Sequence, residues 1–161
     1  MPDTIVTIRL GTVADYPRAR AVIAETFTVH QQAAPMFFQE SDAPPPTLAA
    51  IEEMVQDGAG AWFLAEQKGS VIGFVTVQLR SPAQEPYLVP ERRALVQNLG
   101  MLSAWRGQGI GRTLMEAAEA WARQHGATRL VLNVWEFNTG ALSFYESLGY
   151  KAFSHNMWKA L

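Results

Sequence analysis

No cysteine occurs among the 161 residues, and that absence removes disulfides, thiolate zinc sites and a cysteine nucleophile together. Charge is sparse and nearly balanced: thirteen basic against fifteen acidic side chains leave a formal net charge of −2. No broad cationic surface is available to neutralise a nucleic-acid backbone, so nucleic acid is not expected as a partner. The spacing of His30, His125 and His155 offers no ligand set, and no metal is expected. Residues 1–10 hold Asp3, Thr4, Thr7 and Arg9 rather than a basic patch followed by an apolar run. A leader peptide is therefore not expected, nor is a membrane partner, and the expected compartment is the cytoplasm. What is present is an apolar content of 48%, sufficient for one core, so a single domain over residues 1–161 is expected.

Periodicity orders the chain. Residues 5–10 alternate apolar and polar in a β-branched stretch, the pattern of a half-buried strand. Asp15 and Pro17 then open a helix whose apolar face carries Ala19, Val22, Ile23, Thr26 and Phe27. Residues 31–46 contain Pro35, Pro44, Pro45 and Pro46 with Phe37 and Phe38, and must be a loop. Thr47 caps a second helix bearing Leu48, Ile51 and Val55, ended by Gly58. Residues 61–66 and 71–79 flank a turn as an antiparallel hairpin. A proline-rich loop over residues 80–93 leads to a strand over 94–102. A helix with Ile110, Leu114, Ala118 and Trp121 on one face follows, then a strand over 129–135, a short helix over 139–148, and a closing strand region over 150–158. The order β-α-α-β-β-β-α-β-α-β-β describes an α/β (α+β) sandwich: a mixed, mostly antiparallel sheet flanked by helices.

The most informative segment is Arg106-Gly107-Gln108-Gly109-Ile110-Gly111, between a strand and a helix. Its three glycines let main-chain amides approach an anion without side-chain obstruction. The helix that follows has no Ser, Thr, Asp or Asn at its cap, so its first N–H groups lack an internal partner and an external oxyanion can supply one. A plain strand-to-helix turn is the alternative. The ATP-type loop Gly-x-x-x-x-Gly-Lys-Ser/Thr is absent, Arg112 stands where a dinucleotide fold needs its third glycine, and residues 127–131 hold no ribose-binding acid. ATP and NAD are both disfavoured.

One helix and one strand downstream comes a second block: Asn138-Thr139-Gly140-Ala141-Leu142-Ser143-Phe144-Tyr145-Glu146-Ser147-Leu148-Gly149-Tyr150. Arg-x-x-Gly-x-Gly followed at this distance by Asn-x-x-Ala-x-x-Phe-Tyr-x-x-x-Gly-Tyr resembles the GNAT superfamily of acetyl-CoA-dependent N-acetyltransferases. The resemblance covers about residues 94–150, and element order extends it over nearly the whole chain. It implies that Arg106, Gly107, Gln108, Gly109, Ile110 and Gly111 hold the pyrophosphate of acetyl-CoA. It implies further that Leu99, Gly100 and Met101 pair with the pantetheine arm, and that the Met101 N–H polarises the thioester carbonyl. Asn138 falls at a position that contacts the cofactor arm, and Tyr145 at the tyrosine that protonates the departing thiolate. From the residues themselves, Tyr145 shares a helical face with Ala141 and Leu148 and also suits a core position. Asn138 equally suits a helix cap. Gly100 within its strand fits a bulge or a close ligand approach.

Amine acetylation needs a neutral nucleophile, a stabilised oxyanion and a protonated leaving thiol. The expected strand carries no carboxylate between Leu95 and Leu102, so the base is left to Glu85, Glu91, Glu136 or a water held by Asn133. His30 is a further candidate for the acceptor side. Phe37, Phe38 and Tyr87 are expected to wall the acceptor entrance, where aromatic rings suit an amphipathic or cationic amine; packing of the loops or a dimer contact is the alternative. Asn133 lines the cleft or is a polar edge residue. The expected activity is transfer to a primary amine of a small molecule. A protein N-terminus or lysine is the second acceptor class, and an acyl-CoA-binding module without turnover is the non-enzymatic one. The resemblance also admits a homodimer.

Overall fold

The computed structural model describes residues 5–161. Residues 1–4, the start of the stretch read above for a leader, lie outside the described residues. The elements are β1 (Thr7–Leu10), α1 (Tyr16–Ala33), α2 (Leu48–Gln56), β2 (Gly60–Gln67), β3 (Ser70–Arg80), β4 (Arg93–Met101), α3 (Ile110–Gln124), β5 (Arg129–Leu132) and α4 (Thr139–Ser147), with 3-10 turns at Val13–Asp15 and Ser103–Trp105. The strands lie in chain order, β1-β2-β3-β4-β5. Every pairing is antiparallel except β4 with β5, which the α3 crossover makes parallel.

The sheet is buried on both faces, which is why β2 and β3 read as nearly continuous apolar runs. One face carries Ala61, Ala65, Ile72, Val75, Val77, Ala94 and Val96 against Ile110, Leu114, Met115, Ala118 and Ala122 of α3. The other carries Trp62, Leu64, Val71 and Phe74 against Ala19, Val22 and Ile23 of α1 and Ile51 and Met54 of α2. In α2 the buried pair is Ile51 and Met54, so the expected stripe is corrected: Leu48 and Val55 are exposed. The start of α1 also differs. Thr12 precedes the first 3-10 turn, and the Asp15 carboxylate accepts from the Thr12 N–H at 2.8 Å instead of capping α1 itself.

The expected closing strands are not formed. After α4 residues 151–161 run without sheet pairing and exposed, and Trp158 returns to meet Phe37 at a ring distance of 5.4 Å. β5 is also shorter than expected, ending at Leu132. A four-residue parallel strand cannot template a neighbour as β2 templates β3, and this alternating, lysine-bearing tail has no long edge to join. Among the described residues no helix is long and apolar enough to cross a membrane, and no group of three or more metal-binding side chains is assembled.

Candidate active site

The site is built where β4 and β5 part company. Their parallel pairing runs from Arg93 opposite Arg129 to Val96 opposite Leu132 and stops. β4 continues to Met101 against β3 alone. One residue beyond the parting point, the register with β3 shifts between Thr76 and Val77, leaving Gln97 as the extra residue. The strand therefore bends where it leaves β5. That corrects the expectation for Gly100: the bulge is at Gln97, and what closes on Gly100 is the Thr26 hydroxyl of α1 and the Phe74 ring. A Cβ at Gly100 would collide with both, so the glycine is there for internal packing.

Past the bulge the strand has one satisfied and one free edge. Asn98 N–H donates to Thr76 Oγ1 at 3.1 Å and Leu102 N–H to the Ile72 carbonyl at 2.9 Å, both on the β3 side. Alternation then turns the N–H and C=O groups of Leu99 and Met101 to the opposite side, which β5 has vacated. Arg106 reaches back to the Met101 carbonyl with Nε and Nη2 at 3.2 Å each. By the same alternation the Met101 N–H points to the side that β5 has vacated.

The loop after β4 turns through Ser103–Trp105 and enters α3 at Gly109, whose φ of 81° and the 73° of Gly107 lie in the left-handed region. Nothing lies within reach of a Cβ at either glycine, so conformation selects them there and the space above the loop is open. The first helical bond runs from Thr113 N–H to the Gly109 carbonyl. Ile110, Gly111 and Arg112 therefore present unpartnered N–H groups, with no capping side chain and no acid in the first turn. An uncapped N-terminus of positive dipole is a binding place for an anion. A shallow hollow of about 350 Å³, lined by Gln108, Gly109, Ile110 and Thr113 with Val6 and Ile8, lies beside it. Gly111 has a second task, because a Cβ there would stand 3.3 Å from the Phe144 ring of α4. Its absence lets α4 come close to the mouth of α3.

α4 begins at Asn138, whose Oδ1 accepts from Ala141 N–H at 3.1 Å, so the capping role is realised. The helix carries Tyr145 into the margin of the α3-side core, which Leu99, Met101 and Leu132 also border. Burial pushes the Tyr145 phenol up to about 12, so it stays protonated at neutral pH and can donate. No group among the described residues accepts from it. Tyr150, by contrast, donates to Glu119 at 3.0 Å, and its phenol is raised by burial and by that carboxylate.

Across the sheet from α3, seven aromatic rings converge on the same end of the molecule. Trp135 lies 5.2 Å from Phe37 and 4.8 Å from Phe38. His30 lies 5.6 Å from Phe38 and 5.8 Å from Phe137. Phe27 is edge-on to Phe38, and Trp158 edge-on to Phe37. His30 Nδ1 is 3.0 Å from the Thr26 carbonyl, and Thr26 touches Gly100. One turn of α1, about 5.4 Å along its axis, thus separates this cluster from the residue before Met101.

Phe37 and Phe38 are therefore brought together, and Asn133 stands exposed just past the end of β5. Tyr87 is not brought to them. It is 83% exposed in the loop joining β3 to the start of β4, and the nine residues of β4 put about 26 Å between that end and Met101. Glu85 lies on the same remote loop. Glu91 is there too, bound to Arg129 at 3.0 Å. The sequence reading missed Trp135, Phe137 and Glu25. The Glu25 Oε1 accepts from Ser103 N–H at 2.7 Å and lies 3.9 Å from Arg106 Nη2, pinning the turn before the glycine loop from α1. The clustering of aromatics around Asn133 and Asn138 was the available signal for the first two; Glu25 had none, since 78 residues separate it from Ser103.

The model of the acetyltransferase (GNAT) family matches residues 23–150. The chain belongs to the GNAT acetyltransferase family. As a member it is an acetyl-CoA-dependent N-acetyltransferase, and GNAT enzymes draw their acyl group from acetyl-CoA. The chain is similar to an uncharacterised N-acetyltransferase, YdgE, of Bacillus subtilis, 27% identical over 70% of this chain and 71% of that one. It is 36% identical to a mycothiol acetyltransferase of Thermobispora bispora over 58% of its length, spanning 30% of that protein. In fold it resembles the aminoglycoside N-acetyltransferase AAC(6')-Iy in complex with CoA, with a TM-score of 0.76, 19% identity and coverage of 100% of this chain and 98% of that one.

Proposed function

We propose that this GNAT acetyltransferase acetylates a primary amine of a small molecule by direct attack within a ternary complex. The observation that carries the reading is the free edge of β4 at Leu99 and Met101 standing beside the uncapped N-terminus of α3. Amides there fit a diphosphate, and an open strand edge fits the amide groups of a pantetheine arm. Bound acetyl-CoA supplies an activated thioester and, in the same molecule, the anion that the α3 terminus lacks.

The residues then divide the work. The amides of Gly107, Gln108, Gly109, Ile110 and Gly111 hold the diphosphate, and Arg106, anchored on the Met101 carbonyl, fixes the loop against the strand. The Met101 N–H donates to the oxygen that gains charge as the amine adds. Tyr145, held as a phenol by burial, gives a proton to the sulfur as the carbon–sulfur bond breaks. Asn138 orients α4 so that Tyr145 faces the cofactor arm. An alkylamine with a pKa near ~10.4 pays ~4–5 kcal/mol to be neutral at pH ~7, so the acceptor's proton must leave to solvent on the aromatic side. Glu136, between Trp135 and Phe137 in the chain, is a carboxylate on that side.

Small-molecule acceptors are supported by the convergence of aromatic rings at that end and by relatives named for mycothiol and aminoglycoside acetylation. The test is release of thiol from acetyl-CoA over a panel of amines, peptides included, beside calorimetric titration with coenzyme A. Turnover with small amines and none with peptides is expected. Turnover confined to peptides refutes the acceptor class, and coenzyme A binding with no turnover at all refutes the enzymatic reading.

A further inference from the structure

Past the bulge at Gln97, β4 hangs on β3 along one edge, and α1 meets it from the side at two points. Thr26 lies against Gly100, and Glu25, the residue before it, accepts from Ser103 N–H at 2.7 Å. Helix α1 is a firm support for both, because Ala19, Val22 and Ile23 are buried in the core beneath it. The hydrogen bond to Ser103 accounts for the place of the turn after β4. It does not account for the second neighbour of the same oxygen, Arg106 Nη2 at 3.9 Å. That distance is too long for a hydrogen bond and short enough for charge to act.

Arg106 itself is held by weak means. Its Nε and Nη2 both donate to the Met101 carbonyl, each at 3.2 Å, the long end of the range, and the side chain is 48% exposed. A carbonyl is a neutral acceptor, whereas a phosphate takes a guanidinium in shorter, stronger and often paired bonds. From Ala94 to Met115 the charged residues are Arg106 and Arg112, both cations. The amides that fit a diphosphate begin at the next residue, Gly107. A diphosphate seated there competes with Met101 for this guanidinium, and the Glu25 carboxylate at the Ser103 end of the turn pulls the other way.

Resting on the acetyl-CoA site proposed above, we infer that Glu25 is a positioning residue for acetyl transfer. Its charge keeps Arg106 on the Met101 carbonyl while the diphosphate is bound, so that the Met101 main chain stays aligned with the thioester. In this role Glu25 touches neither cofactor nor acceptor, and no bond to it forms or breaks. Its charge also opposes the anion that the loop receives. The role therefore has a signature that simple pinning of the turn lacks: removal of the charge tightens cofactor binding and slows the reaction.

Glu25→Gln separates the two roles, because the amide oxygen still accepts from Ser103 N–H and only the charge is lost. Its urea midpoint should match the parent's. Calorimetry should show coenzyme A binding roughly twofold tighter at low salt, a gain that fades as salt is added. Thiol release from acetyl-CoA with the fastest amine of the panel should show kcat lowered about tenfold. In an Arg106→Ala background, Glu25→Gln should cause no further fall in kcat, since the group it acts through is gone. Weaker coenzyme A binding together with a lower kcat would make Glu25 a support for the turn and overturn the inference. A full loss of kcat on Glu25→Gln even with Arg106 absent would overturn it too, by placing Glu25 against the reacting groups. No thiol release by the parent from any amine would overturn the proposed reaction itself, an outcome told apart because the calorimetric comparison needs no turnover.

Discussion

The two halves of this molecule differ in how completely they fill a core and pair their main chain. In the first half, β1, β2, β3, α1 and α2 close a core in which Trp62, Leu64, Phe74, Val22 and Ile51 are fully buried. Their rim is tied by ions: Asp15 lies 2.6 Å from Arg9 and 2.9 Å from Arg18, and Glu66 lies 2.7 Å from each arginine. In the second half neither β5 nor α4 contains a fully buried residue, the edge of β4 is open, and α3 starts without a cap. The unsatisfied half is the one we propose to bind the cofactor. A groove for a polar cofactor requires main-chain groups that the fold declines to pair, and only a self-sufficient neighbour can hold such groups in place.

Four changes break or sharpen that contrast. The largest effect belongs to Tyr145→Phe, which should lower kcat about 100-fold with coenzyme A affinity nearly unchanged, as stopped assays and calorimetry would register separately. Equal loss of both would give Tyr145 a packing role. Next is Asp15→Ala, which should remove about 2 kcal/mol of stability at neutral pH, the partial exposure of both arginines keeping it below a fully buried pair. Arginine hydrogen bonds hold both Asp15 and Glu66 below the ordinary carboxylate range. Because the folded values are lowered, their contribution is complete above the unfolded value of about pH 4 and is lost progressively below it, as pH falls through the folded values. Urea midpoints for variant and parent should therefore converge at acid pH; a gap constant with pH would remove the ionic account.

Gly109→Ala probes the binding half by conformation alone. With φ at 81° and open space around it, the added methyl carries about 1 kcal/mol of backbone strain, and coenzyme A affinity should fall roughly fivefold. An unchanged dissociation constant would separate the loop from the diphosphate. The smallest effect is expected at Tyr87→Ser, at the far end of β4, where kcat/KM should stay within experimental scatter. A clear drop would mean that the proline-rich loop folds over the site during turnover.

The conformation of the loop was legible in Arg106 to Gly111 because it is local: glycine conformation and a missing cap are written in consecutive residues. The same holds for Asn138 as a cap and for the long apolar runs of β2 and β3. The bulge expected at Gly100 lies instead at Gln97, and the neighbours that close on Gly100, Thr26 and Phe74, come from other elements. Tyr87 was misplaced for a related reason: composition marks a loop as aromatic but says nothing of which end of a strand it joins. The tail after Tyr150 carries strand-like alternation, yet alternation needs an edge of matching length, and β5 ends at Leu132.

By itself, then, the sequence determined the order of elements as far as α4, the glycine-built turn into α3 and the family to which the chain belongs, because each depends on residues within a turn or a strand of one another. Only the tertiary structure decided where β4 leaves β5, that Glu25 pins the turn after β4, and that Phe27, His30, Phe37, Phe38, Trp135, Phe137 and Trp158 share one wall. Those meetings join segments far apart in the chain, and they are set by how helices and sheet fill space together, which no single stretch of residues encodes.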